Sequence, residues 1–229
     1  MANVDSVDLT VHGMGGHGAY PHKTVDPIVL SAQIVNGLQT LVSRHVEPLQ
    51  AGVVTVGSIH GGFKHNVIPD RVDMQLTVRS FTDETRKLLL DGIHRVARGQ
   101  AIAMGVPEDR LPEIRLRDEH TPALYNDPAL TRRLVGVLKA QLGEEGVVAV
   151  DPVMGGEDFS EYGRTEPRVP IAFFWVGGVD PEKFEAAKAE GRPLPSLHSS
   201  KFAPLPRPAI TAGVMTMTTV ALELLGTGS

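Results

Sequence analysis

Five short stretches of this sequence hold residue types that could do chemistry. Gly13-Met14-Gly15-Gly16-His17-Gly18 puts an imidazole on a glycine-rich loop, where it could donate to an oxyanion or move a proton. His65-Asn66-Val67-Ile68-Pro69-Asp70 places the Asn66 amide between two strand-like runs, able to meet a substrate carbonyl or carboxylate. Arg79 closes an alternating run, and its planar guanidinium matches a carboxylate with two parallel hydrogen bonds. Gly155-Gly156-Glu157-Asp158 sets two carboxylates in a glycine loop, suited to contacts with a metal, with a metal's surroundings or with substrate. His198, in Leu197-His198-Ser199-Ser200, offers a ring nitrogen that suits zinc or manganese.

Each stretch also has a plainer reading. Taken singly, His17 and His198 serve as well as loop histidines, Asn66 as a turn residue, and Arg79 as a solvated strand end. Glu157 and Asp158 then form a solvated acidic turn. The first glycines spell GxGxxG, but a dinucleotide fingerprint needs a helix N-terminus directly behind them. Pro21 follows Gly18 within three residues, and the next helix waits for Asp26. The glycines are therefore read as shaping the loop that presents His17. No HExxH, close Asp/His set or cysteine offers a local metal cluster, and no GxSxG elbow supports serine hydrolase chemistry.

Regular elements must position these groups. Val4 to His12 alternates apolar and polar residues, as a strand does. Helical spacing starts at Pro27 behind an Asp26 cap, and Pro48 bars its continuation. Gly52–His60 and Arg71–Ser80 read as strands, Thr82 caps a helix running to Met104, and Glu113–Arg117 is a fourth strand. Strand, helix, strand, strand, helix, strand is the order of a ferredoxin-like fold.

The remainder reads differently. A helix opens at Asn126 or Asp127 and closes at Gly143. Val147–Val150 and the apolar run Pro170–Val176 are expected as strands, the latter covered on both faces. Ala209–Leu225 is expected as a packed helix, apolar almost all round. So few strands fall short of a doubly covered sheet, which favours an incomplete domain.

Composition narrows the function classes. The chain has 229 residues, 22 Lys plus Arg against 27 Asp plus Glu, and no basic block. A net charge of -5 argues against nucleic acid or an anionic membrane as a partner. The start lacks the pattern of a signal peptide, and no uninterrupted apolar run reaches ~18 residues, so a cytoplasmic protein with no membrane span is expected.

Four stretches in order, VHGMGGHGAYPHKTVDPI, GGFKHNVIPDRVDMQLTVRSF, GGEDFSEY and LHSSKF, resemble the M20 family of metallopeptidases and amidohydrolases. The nearest subgroup resembles the N-acyl-amino-acid and hippurate hydrolases. That resemblance implies an α/β metallohydrolase domain with two divalent ions, zinc, manganese or similar. It also implies an inserted ferredoxin-like lid that makes the homodimer. Residues 1–118 would be the lid and 119–229 the C-terminal part of the catalytic domain. The resemblance gives His17 the oxyanion, often across the dimer. It gives Asn66 the substrate near its scissile carbonyl, and Arg79 a substrate carboxylate. Gly155, Gly156, Glu157 and Asp158 would lie at the substrate mouth, and His198 would be a metal ligand.

The family's first catalytic segment carries the other ligands and the glutamate base that takes a proton from a metal-bound water. It is absent from these residues, so the chain is expected to be inactive alone and to have that segment as a partner. The alternative is a non-catalytic dimeric interaction module.

Overall fold

Alternation along β1 (Asn3–His12) buries Asn3, Asp5, Val7, Leu9 and Val11 on one face and leaves the intervening residues half-buried on the other. The chain then makes the two-residue strand β2 (Gly16–His17) and helix α1 (Pro27–Thr40). Asp26 caps α1 as expected, its carboxylate accepting from the amides of Ile28 and Val29. β3 (Gly52–Gly61), the short β4 (Val67–Ile68) and β5 (Arg71–Ser80) follow. Thr82 accepts from the Thr85 amide and opens α2 (Asp83–Ala103), and β6 (Glu113–Thr121) closes the set.

β1, β3, β5 and β6 form one antiparallel sheet in the order β3-β5-β1-β6. With α1 and α2 this is the expected βαββαβ arrangement. The helices cover one face. Leu30, Ile34 and Leu38 of α1 and Leu89 and Ile93 of α2 seal Val7, Leu9, Val72 and Met74 completely or nearly so. This computed structural model describes residues 1–226, which divide into two compact units. The first comprises Met1–Tyr125 and Asp151–Val169, so it runs past residue 118 and takes in the glycine loop.

One polar cluster sits under the first unit's sheet. Asp5 is 0% exposed and takes both oxygens to Arg86, at 2.6 and 2.8 Å, with Asn3 donating at 3.0 Å. His120 pairs with Asp5 in the β1–β6 register, beside a bulge between Asp5 and Val7.

The second unit comprises Asn126–Val150 and the chain from Pro170 onward. Its helices are α3 (Pro128–Leu142), α4 (Pro181–Ala189) and α5 (Pro206–Leu225). Asp127 caps α3 and Gly143, at φ 82°, ends it, as the sequence predicts.

Three expectations are corrected here. Val147–Val150 forms no strand, and Val148 and Val150 are 75% and 68% exposed. Pro170–Val176 forms no ladder either. It lies along the start of α3, where the Asp127 amide donates to the Ile171 carbonyl and the Asn126 side chain binds both the amide and carbonyl of Phe173. An apolar run needs a partner strand before its pattern becomes a sheet, and among the described residues this unit contains none. Finally, α5 is mostly exposed rather than packed: only Thr216 and Val220 are buried along it. It is also long and apolar enough, with a mean hydropathy of 1.4, to cross a membrane by length and composition. The threonines at 211, 216, 218 and 219 interrupt its apolar runs.

Candidate active site

The His17 loop begins where β1 ends. Gly13 donates its amide to the Asp70 carbonyl at 2.7 Å, and Gly15 donates to the Asp70 carboxylate at 2.9 Å. Beyond these contacts β2 and β4 form a separate two-stranded ladder, with Gly16 opposite Ile68 and His17 opposite Val67. Gly18 then donates to the Asn66 carbonyl at 2.8 Å. Glycine is required at position 15, because a Cβ there would lie 2.7 Å from the Ile68 carbonyl oxygen. The sequence therefore brings His17 and Asn66 to neighbouring rungs of one small ladder.

The His17 ring is oriented by its own loop. The Ala19 amide donates to Nδ1 at 3.1 Å, so Nδ1 is an acceptor and the ring proton sits on Nε2. Tyr20 leans on the same ring, with centroids 5.7 Å apart. Both His17 and Asn66 are exposed. Beside them Gly18, Ile28, Phe63, Lys64 and Val67 line an open concavity of about 500 Å³.

Arg79 and the glycine loop lie at the other end of β1. Val4 is paired with Arg79 on one side and Thr121 on the other, whereas His12 meets Arg71. A ten-residue strand is roughly 30 Å long at ~3.3 Å per residue, so the two groups do not meet within one unit. Arg79 Nη1 donates to the Met154 carbonyl at 2.7 Å. Gly155 and Glu157 are half-buried, and Gly156 and Asp158 are exposed.

His198 belongs to the second unit, exposed in a turn and held at φ 66°, a backbone region uncommon for residues other than glycine. Among the described residues no group of three or more His, Cys, Asp or Glu side chains could hold a metal ion. A lone exposed imidazole does not make a metal centre, so the described residues do not form one by themselves.

Sequence reasoning missed the Ala19 amide, Asp70 and the Met154 carbonyl. Two of these three are backbone groups, which carry no residue-type signal. Asp70 was visible as the carboxylate ending HNVIPD.

A four-stranded sheet with helices on one face, carrying a neighbouring histidine and asparagine beyond its end, defines a ferredoxin-like presenting domain. Residues 2–103 match the peptidase dimerisation domain of the M20 type. The chain is 36% identical over 203 residues to an N-acetyldiaminopimelate deacetylase of Leuconostoc mesenteroides subsp. mesenteroides, covering 87% of this chain and 51% of that protein. The crystal structure of a protein of methicillin-resistant Staphylococcus aureus, described as an aminohydrolase, matches with a TM-score of 0.76. The two are 32% identical, over 96% of this chain and 51% of that one. The YXEP protein of Bacillus subtilis, a dinuclear metal binding peptidase from the M20 family, matches with a TM-score of 0.69 and 26% identity. That match covers 100% of this chain and 51% of the other. These likenesses place the chain in the M20 family, as its motifs imply. The chain spans about half the length of the curated relatives it matches.

Proposed function

We propose that this chain is the lid and part of the catalytic domain of a metal-dependent M20-type amidohydrolase. Its substrates are N-acyl amino acids or similar carboxylate-bearing amides. The observation that carries this reading is the His17–Asn66 pair, in which the Ala19 amide occupies Nδ1 and leaves Nε2–H free to donate. As the scissile carbonyl becomes tetrahedral, negative charge develops on its oxygen. Nε2–H of His17 and the Asn66 amide are the donors that meet it. Such a donor, already oriented before reaction, is worth about 3–4 kcal/mol of transition-state stabilisation.

Because the pair projects away from the Arg79 end of its own sheet, the oxyanion it serves is that of a second copy, in a homodimer made through the lid. The match of residues 2–103 to a dimerisation domain supports this. Arg79 takes the substrate carboxylate, and Gly155, Gly156, Glu157 and Asp158 border its approach. His198 is one ligand of a site for two divalent ions, zinc, manganese or similar, whose other ligands belong to the complete enzyme. When bound, those ions supply the activated water. The protein is cytoplasmic, has no nucleic-acid or membrane partner, and these 229 residues alone are inactive.

The test is a chimera in which these residues replace the matching half of the Leuconostoc deacetylase. It is expected to dimerise and to hydrolyse N-acetyl amino acids. A chimera that dimerises and retains metal, yet cleaves no N-acyl amino acid, would refute the reading. A second reading, a non-catalytic dimeric module, rests on the match of residues 2–103 to a dimerisation domain. Amide hydrolysis by the chimera eliminates it.

A further inference from the structure

Arg79 lies on the sheet face that the helices leave open, half-buried, between Val4 of β1 and Val53 of β3. Its bond to the Met154 carbonyl joins a wider docking of the Val153–Gly156 segment. The Ala2 amide donates to the carbonyls of Val153, at 3.2 Å, and Gly155, at 3.0 Å. Gly156 runs so close to β1 that a Cβ on it would lie 2.4 Å from Cγ2 of Val4. These other holds are made by backbone and by steric fit, whereas Arg79 supplies a charge.

That charge is not matched by an acid. Among the described residues no carboxylate forms an ion pair with Arg79, and Nη1 is committed to a neutral carbonyl. A guanidinium carries five N–H donors in a fixed fork, so a bond from Nη1 also fixes the direction of the Nε–Nη2 edge.

We propose that Arg79 is a positioning residue that straps the Met154–Asp158 loop to the sheet. It thereby sets where Gly155, Gly156, Glu157 and Asp158 stand relative to the strand that carries it. The strap rests on contacts within the first unit. Its bearing on catalysis rests on the function proposed above.

The measurement is amide exchange at Ala2, read by NMR on the 229-residue chain. In Arg79→Met this exchange is expected to rise about tenfold, the factor that loss of one charge-assisted hydrogen bond implies. Exchange at Val7 and Leu76, deep in the same sheet, should stay unchanged, and Arg79→Lys should recover part of the protection. Unchanged exchange at Ala2 would overturn the proposal. So would an equal rise at Ala2, Val7 and Leu76, because that reports loss of global stability.

The carboxylate role is separable in the chimera. Loss of the strap by Arg79→Met lowers kcat on N-acetyl amino acids and on their carboxamides alike. A carboxylate grip adds a rise in KM for the acids alone, and its absence would refute the grip while leaving the strap standing. A kcat unchanged on both substrates would overturn a positioning role.

Discussion

The Asn66 carbonyl accepts the Gly18 amide at 2.8 Å, and with His17 opposite Val67 that backbone bond holds the His17 and Asn66 segments side by side. Since backbone makes the bond, replacing the Asn66 side chain leaves the ladder in place. In the chimera Asn66→Ala is therefore expected to keep its dimer and to lose about 10²-fold in kcat, the scale of one lost oxyanion donor. Steady-state kinetics alongside sedimentation would check both parts.

Asp5 and Arg86 test what holds the sheet to α2. Asp5 is wholly buried and bonded by both oxygens to Arg86, so Asp5→Ala leaves a guanidinium without its partner. Breaking a buried pair this way costs about 3–5 kcal/mol. Urea unfolding should show that loss for either single variant. For Asp5→Ala with Arg86→Met it should show much less than the sum.

Gly156 tests the docking of the loop. Gly156→Ala forces a Cβ to 2.4 Å from Cγ2 of Val4, and such overpacking costs about 1–3 kcal/mol. Val4→Ala removes that methyl group. The double variant should recover part of the loss in denaturant midpoint.

His120 gives a pH signature. Burial first, and then the charge of Arg86, hold its imidazole below the ordinary 6.5, against the opposing pull of Asp5 and Glu161. Its Nε2 is buried without a hydrogen-bond partner. As pH falls the unfolded chain takes this proton first, so the contribution to stability is full above about 6.5 and is lost as pH drops toward the folded value. His120→Gln should flatten the dependence of unfolding free energy on pH in that window. Asp8 and Asp73 act elsewhere. Arg117 and Arg71 respectively lower them below 3.8, so their contribution is present above that value and is lost only in more acid solution.

The first unit was largely legible in the sequence because its signals are local. Alternation marked β1 and β5, while Asp26 with Pro27 and Thr82 marked the helix starts. The second unit was not, beyond the caps of α3. Pro170–Val176 has a strand's residues, but a ladder needs a partner that no local pattern supplies. The all-round apolarity of α5 fits a buried helix, an exposed one or a membrane span equally well, so periodicity could not choose. His17 and Asn66 were visible as residue types, and their pairing was not, because it runs through the Gly18 amide. Arg79 was read from its type as a solvated strand end or a carboxylate fork, and its bond to the Met154 carbonyl gave no residue-type signal.

The central claim is that His17 acts on the transition state. The direct measurement is kcat on an N-acetyl amino acid, with metal content, for the chimera and its His17→Ala variant. A fall in kcat of about 10²-fold or more, with metal content and dimer unchanged, is predicted. An unchanged kcat, or a loss explained by lost metal, would contradict it.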